Sequence, residues 1–161
     1  MENSFGKLIK TNYMLITAGS KDNYNTMTAS WGLYGNLWEE DCIMVFVRDS
    51  RYTLEFLNNN KYFSISLFKD NKDKLSYLGS VSGRDEDKIK NSGFNVLFDN
   101  GVPYINEGFE SIILEKVFVS KMEENNFIDH NILDKFYTGR NLNDYHNIFV
   151  GKVIKTINNN I

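Results

Sequence analysis

Long apolar runs are missing from this 161-residue chain, and with them any helical segment able to span a bilayer. The N-terminal stretch Met1-Glu2-Asn3-Ser4-Phe5-Gly6-Lys7 lacks the apolar core of a signal peptide, so a cytoplasmic location is expected. A single cysteine, Cys42, excludes an intrachain disulfide and suits a reducing compartment. It falls inside an apolar run, where a small core residue describes it better than a nucleophile. With only two histidines beside it, and no tight carboxylate cluster, no metal site is expected. Basic runs are absent and the formal net charge is -3, so nucleic acid is not an expected partner. No Gly-x-Gly-x-x-Gly fingerprint occurs, so any nicotinamide nucleotide is not held by a Rossmann turn. Nor is there a glycine-flanked serine elbow, which leaves hydrolase chemistry without support.

Low-complexity stretches, internal repeats and linkers are also absent, so residues 1–161 read as one domain. Strands dominate the pattern. Tyr13–Ala18, Asn25–Trp31, Cys42–Val47 and Lys61–Phe68 form the first four, with Gly32 and Gly35 expected to break the second. In the fourth, Phe63, Ile65 and Leu67 alternate with serines, which predicts one buried face. Ser111–Met122 and Tyr145–Ile157 are long strands, and Gly101–Ile105 is a turn leading into an edge strand that tolerates Pro103, the only proline. Short helices are predicted over Tyr52–Leu57, Asn71–Leu78, Asp85–Ser92 and Asp129–Lys135. Short strands without long crossover helices favour a mainly β, antiparallel barrel over a doubly wound sheet.

The segment richest in chemistry is Val47-Arg48-Asp49-Ser50-Arg51-Tyr52-Thr53, where a buried strand hands over to a helix. Asp49 or Ser50 is the expected N-cap, and a helix start with unpaired N–H groups favours anions. Arg48 and Arg51 add forked donors suited to phosphate oxygens. The same residues also suit an ordinary cap and solvated arginines. Ser80, Ser82 and Gly83 offer either an anion nest or a plain turn. Lys88 is a mobile point charge for phosphate or part of a solvated helix start.

Four segments point together to one family: Asn25-Thr26-Met27-Thr28-Ala29-Ser30-Trp31-Gly32, the arginine segment above, Leu78-Gly79-Ser80-Val81-Ser82-Gly83-Arg84-Asp85-Glu86-Asp87-Lys88, and Asp144-Tyr145-His146-Asn147-Ile148-Phe149-Val150-Gly151. In order and spacing the chain resembles the flavin reductase-like (flavoredoxin-like) proteins, which have an FMN-binding split β-barrel. The likeness runs from about Tyr13 to Val153. It implies a homodimer with FMN near the subunit interface. Met27, Thr28, Ala29, Ser30 and Trp31 would line the flavin ring, largely through backbone groups. Arg48, Ser50, Arg51 and Thr53 would hold the phosphate, and Ser80, Val81, Ser82, Gly83 and Lys88 would complete the phosphate and ribityl side. Aspartate stands at 41 and 49, where many relatives carry proline.

The resemblance implies hydride transfer from NADH or NADPH to flavin, with electrons passing to free flavin or another acceptor. A flavoredoxin-like electron carrier that takes its electrons from a redox partner protein is the alternative. A pyridoxamine-phosphate-oxidase-like enzyme is a third reading. His146 is expected to tune hydride transfer as a group that titrates across roughly pH 5 to 8, or else to be a satisfied histidine. Trp31 and Trp38 are either flavin contacts or packing residues.

Overall fold

A computed structural model describes residues 4–159, so the start of the N-terminal stretch read above, residues 1–3, lies outside the described residues. Helix α1 (Ser4–Asn12) leads into β1 (Met14–Gly19), β2 (Tyr24–Ala29), β3 (Gly32–Leu37) and β4 (Glu40–Arg48). Helix α2 (Thr53–Asn59), β5 (Tyr62–Leu67), α3 (Lys72–Ser80) and α4 (Lys88–Ser92) follow. The hairpin β6 (Val96–Asp99) and β7 (Val102–Ile105) precedes the long β8 (Glu110–Lys121), then α5 (Asn131–Phe136) and β9 (His146–Asn158). No helix among the described residues is long and apolar enough to cross a membrane.

Seven strands form one sheet in the order β2-β1-β5-β8-β9-β4-β3, and every neighbouring pair is antiparallel. Its two outer strands, β2 and β3, are separated in sequence only by Ser30 and Trp31. The three residue steps from Ala29 to Gly32 reach only about 10 Å, so the sheet must curl until its edges meet at this corner. The curled sheet wraps a core of Met14, Ile16, Ile43, Val45, Phe63, Ile65, Leu114 and Phe149. On β9, a Cβ added at Gly151 would lie 2.8 Å from Leu114 Cβ and 2.9 Å from Phe63 Cζ. Only a glycine lets these strands close so tightly.

Three expectations need correction here. Gly32 and Gly35 do not end a strand segment; they lie in β3, whose register with β4 pairs Gly32 with Val45 and Gly35 with Cys42. Ser64 and Ser66, expected on an open face, are fully buried. The β6–β7 region covers them: Ser64 Oγ donates to Pro103 O at 2.6 Å, and Ser66 Oγ accepts from the Ile105 N–H at 3.2 Å. Finally, the Asp85–Ser92 helix is reduced to Lys88–Ser92, with Asp87 as N-cap accepting from the Lys90 N–H. β1 likewise buries both faces, because Leu15 joins a second cluster with Leu75, Leu78, Ile89 and Phe94 from the α3–α4 region.

Candidate functional site

The sheet corner and the β4–α2 junction meet at one end of β9. Arg48 closes β4 opposite His146, the first residue of β9. Around them lie two cavities. One, of about 200 Å³, is lined by Met27, Thr28, Ala29, Ser30, Trp31, Phe46, Arg48, Arg51 and His146. The other, of about 490 Å³, is lined by Arg48, Ser50, Arg51, Ser76, Gly79, Ser80, Arg140, Asn141 and Asp144. Arg48 and Arg51 line both.

The first cavity is aromatic at one wall. The Trp31 ring lies 4.8 Å from that of His146 and meets Phe136 edge-on at 5.2 Å. Trp31 remains 37% exposed, so its ring is available to a ligand. His146 is buried and shares a hydrogen bond between Nδ1 and the Tyr137 hydroxyl at 2.7 Å. Burial, and then the neighbouring Arg48, push its pKa down to about 4, with Asp144 opposing. This corrects the expectation of titration between pH 5 and 8: the imidazole is neutral throughout that range. Thr28 Oγ1 donates to Leu75 O at 2.5 Å, which ties this wall to α3.

The second cavity is basic. Arg51 donates to Gly79 O at 2.8 Å, which holds the end of α3 against the β4–α2 junction. Arg48 donates to Asp144 O at 2.8 Å and Phe136 O at 3.0 Å, so it clamps the β8–β9 connection. Arg51 is partly desolvated; burial lowers its pKa, and Arg48 and Arg140 lower it further as like charges.

The expected helix cap is absent. The N-cap of α2 is Tyr52, which makes no side-chain cap bond, and Ser50 instead bonds Asp144. Asp49 points away from the cavity, accepting from Lys121 at 2.5 Å and from Asn147 Nδ2 at 2.8 Å. Burial works to raise its pKa, but these bonds more than offset that and hold the carboxyl low.

The residues expected on the phosphate and ribityl side are dispersed. Ser80 lines the basic cavity, while Gly83 and Lys88 line a separate cavity walled by Asp22, Asp85, Glu86 and Asp87. Val81 is the C-cap of α3, and Ser82 Oγ accepts from the Arg84 N–H. Lys88 is 4% exposed and donates to Leu78 O and Val81 O, so it is no mobile charge. Burial pushes its pKa down to about 8. Thr53 is buried and accepts from Asn25 Nδ2 at 2.8 Å, away from both cavities. Trp38 is remote, packing on Phe118.

A sequence model of the flavin reductase-like domain matches residues 5–160. The chain belongs to that family. Its fold is that of the FMN-binding split barrels. The FMN-binding protein of Thermus thermophilus, solved with bound 1-cyclohex-2-enone, has a TM-score of 0.71 at 22% identity, covering 92% of this chain and 70% of that one. Flavoredoxin from Methanosarcina acetivorans reaches 0.68 at 25% identity, covering 92% and 69%. An NADH:FAD oxidoreductase from Streptomyces globisporus reaches 0.67 at 13% identity, covering 91% and 75%. No curated protein sequence matches significantly.

This flavin reductase-like chain places residues at its site that sequence patterns did not single out. Phe46 faces outward from a strand read only as core. Ser76 and Gly79 come from α3, and Arg140 and Asn141 from the β8–β9 connection. Phe46, Ser76, Arg140 and Asn141 sit in no quoted motif segment; Gly79 and Asp144 stood within quoted segments but were given no role there.

Proposed function

We propose that the chain binds FMN across the two cavities and acts as an NAD(P)H-dependent flavin oxidoreductase. The observation that carries this reading is the sharing of Arg48 and Arg51 between an aromatic-walled cavity and a basic one. A flavin mononucleotide is an aromatic ring joined to a phosphate, and it needs those two surroundings side by side. Met27–Trp31 would present backbone groups and the Trp31 ring to the flavin ring. Arg51, Arg140 and Ser50 would meet the phosphate, with Arg48 holding the cavity wall in place. Bound FMN supplies hydride acceptance from NADH or NADPH and onward electron transfer. The chain's part is to position the ring, to neutralise the phosphate, and to keep a neutral imidazole at the ring wall.

A second reading is an electron carrier with little NAD(P)H activity, favoured by the 25% identity to a flavoredoxin. Its partner would be a redox protein. The site would also sit near a homodimer interface. Leu33, Tyr34 and Leu37 of β3, Trp38 in the turn after it, and Val117, Phe118 and Val119 of β8 leave apolar side chains exposed, which suits a second copy of the chain.

Anaerobic stopped-flow mixing of the FMN-loaded protein with NADH and with NADPH tests the proposal. Rapid bleaching of the visible flavin band supports the reductase. No bleaching with either nucleotide, but reduction by a partner protein, selects the carrier. A protein that takes up no FMN refutes both.

A further inference from the structure

The one carboxylate among the described residues lining the basic cavity is already engaged. Asp144 Oδ1 accepts from the Ser50 N–H at 2.9 Å, and Oδ2 accepts from Ser50 Oγ at 2.6 Å. A carboxylate fork on one N–H and one O–H uses the same donors that two oxygens of a phosphate use. The segment carrying Asp144 is held independently of that carboxylate. Its main-chain oxygen takes Arg48 Nη1, Phe136 O takes Arg48 Nη2, and Tyr145 O takes the Asp49 N–H at 3.3 Å.

Three arginines, Arg48, Arg51 and Arg140, line this cavity with a single carboxylate. The cavity therefore holds more positive charge than its own residues neutralise, which favours an anionic occupant. Yet its best-formed hydrogen-bond fork is filled by the chain itself. The Ser50–Asp144 bonds are solvent-exposed, where water competes for both partners, so they can be given up at small cost.

We infer that Asp144 occupies the place of a ligand phosphate and sets how strongly the site prefers a phosphorylated flavin. This rests on the reading that a flavin phosphate binds in the basic cavity. An incoming phosphate takes the Ser50 N–H and hydroxyl and displaces the carboxylate. Asp144 then stands beside it as a like charge, because its main chain stays clamped by Arg48. Affinity for FMN is lowered on both counts, whereas riboflavin, which has no phosphate, leaves the fork undisturbed. Asp144 is in this sense a specificity-determining residue, and it keeps FMN exchangeable.

The test compares dissociation constants of FMN and riboflavin for wild type and Asp144→Asn, by flavin fluorescence quenching. Asparagine keeps an acceptor oxygen for Ser50 and the clamped main-chain carbonyl but removes the charge. The expected result is FMN binding tightened by about tenfold with riboflavin unchanged within about twofold. Asp144→Ala, which empties the fork, is the second variant and must move FMN in the same direction. If both variants weaken FMN and riboflavin alike, Asp144 is only structural and the inference is overturned. A wild type that prefers FMN, with variants that leave the preference unchanged, overturns this inference alone. Riboflavin bound as tightly as FMN by the wild type and by both variants overturns the phosphate reading and this inference with it.

Discussion

Tyr137 and His146 share a 2.7 Å hydrogen bond that ties the β8–β9 connection to the first residue of β9. The bond ends on an imidazole that burial, and then Arg48, keep neutral, with a pKa of about 4 against an ordinary 6.5. Between those two values the unfolded chain binds a proton that the folded chain refuses. Stability from this group is therefore complete above about pH 6.5 and is lost as pH falls toward 4. Urea midpoints measured at pH 7 and pH 5 are expected to fall on acidification in the wild type, and less in His146→Asn. Equal falls would remove His146 from the acid response. By the same logic, flavin reduction between pH 6 and 8 carries no titration from this residue.

Arg51 is expected to carry phosphate affinity. Arg51→Met should weaken FMN by about 1.5–3 kcal/mol, roughly tenfold or more, with a much smaller effect on riboflavin. Titration calorimetry with both ligands checks this, and an equal loss for the two would place Arg51 outside the phosphate site.

Lys88 has a structural part. Its ammonium donates to two carbonyls at the end of α3, Leu78 O at 2.9 Å and Val81 O at 3.0 Å. Lys88→Met strips both of their partner and should cost about 1–3 kcal/mol of stability. FMN affinity, measured on the folded fraction, should change little. A tenfold loss of FMN affinity without loss of stability would return Lys88 to the phosphate side.

Crowding at Gly151 predicts a steep steric cost. Gly151→Ala puts a methyl within 3.0 Å of Leu114 and Phe63, and the overpacking should cost about 1–3 kcal/mol. Thermal denaturation of the variant reads this directly. An unchanged midpoint would mean that β8 and β9 yield more readily than their packing indicates.

For the proposed dimer, the pair Trp38 and Phe118 marks the surface, with ring centroids 6.3 Å apart and both side chains exposed. Phe118→Asp should convert a dimer to a monomer in light scattering, since an unpaired carboxylate in an apolar interface is costly to desolvate. A wild type that is monomeric when loaded with FMN would refute the dimer.

Local sequence was enough for the strands whose period or apolar content is strong: Cys42–Val47, Ser111–Met122 and Tyr145–Ile157 all lie within or close to observed strands. The arginine segment also announced its chemistry, because two forked cations beside hydroxyls are recognisable without a fold. What local sequence could not supply was the covering of one element by another. Ser64 and Ser66 read as exposed because only a distant hairpin buries them, and Gly32 read as a stop because its strand partner lies in β4. For His146 the sequence left a physiological titrator and a satisfied histidine both open, because its neutrality comes from burial beside Arg48, not from its neighbours in sequence. Arg140 and Asp144 reach the site from a connection that only the β8–β9 pairing brings back to Ser50. Residue type and spacing determine which chemistry is on hand. Desolvation and long-range hydrogen bonds, which exist only once the sheet has curled, decide which of those groups stay charged and which are already spoken for.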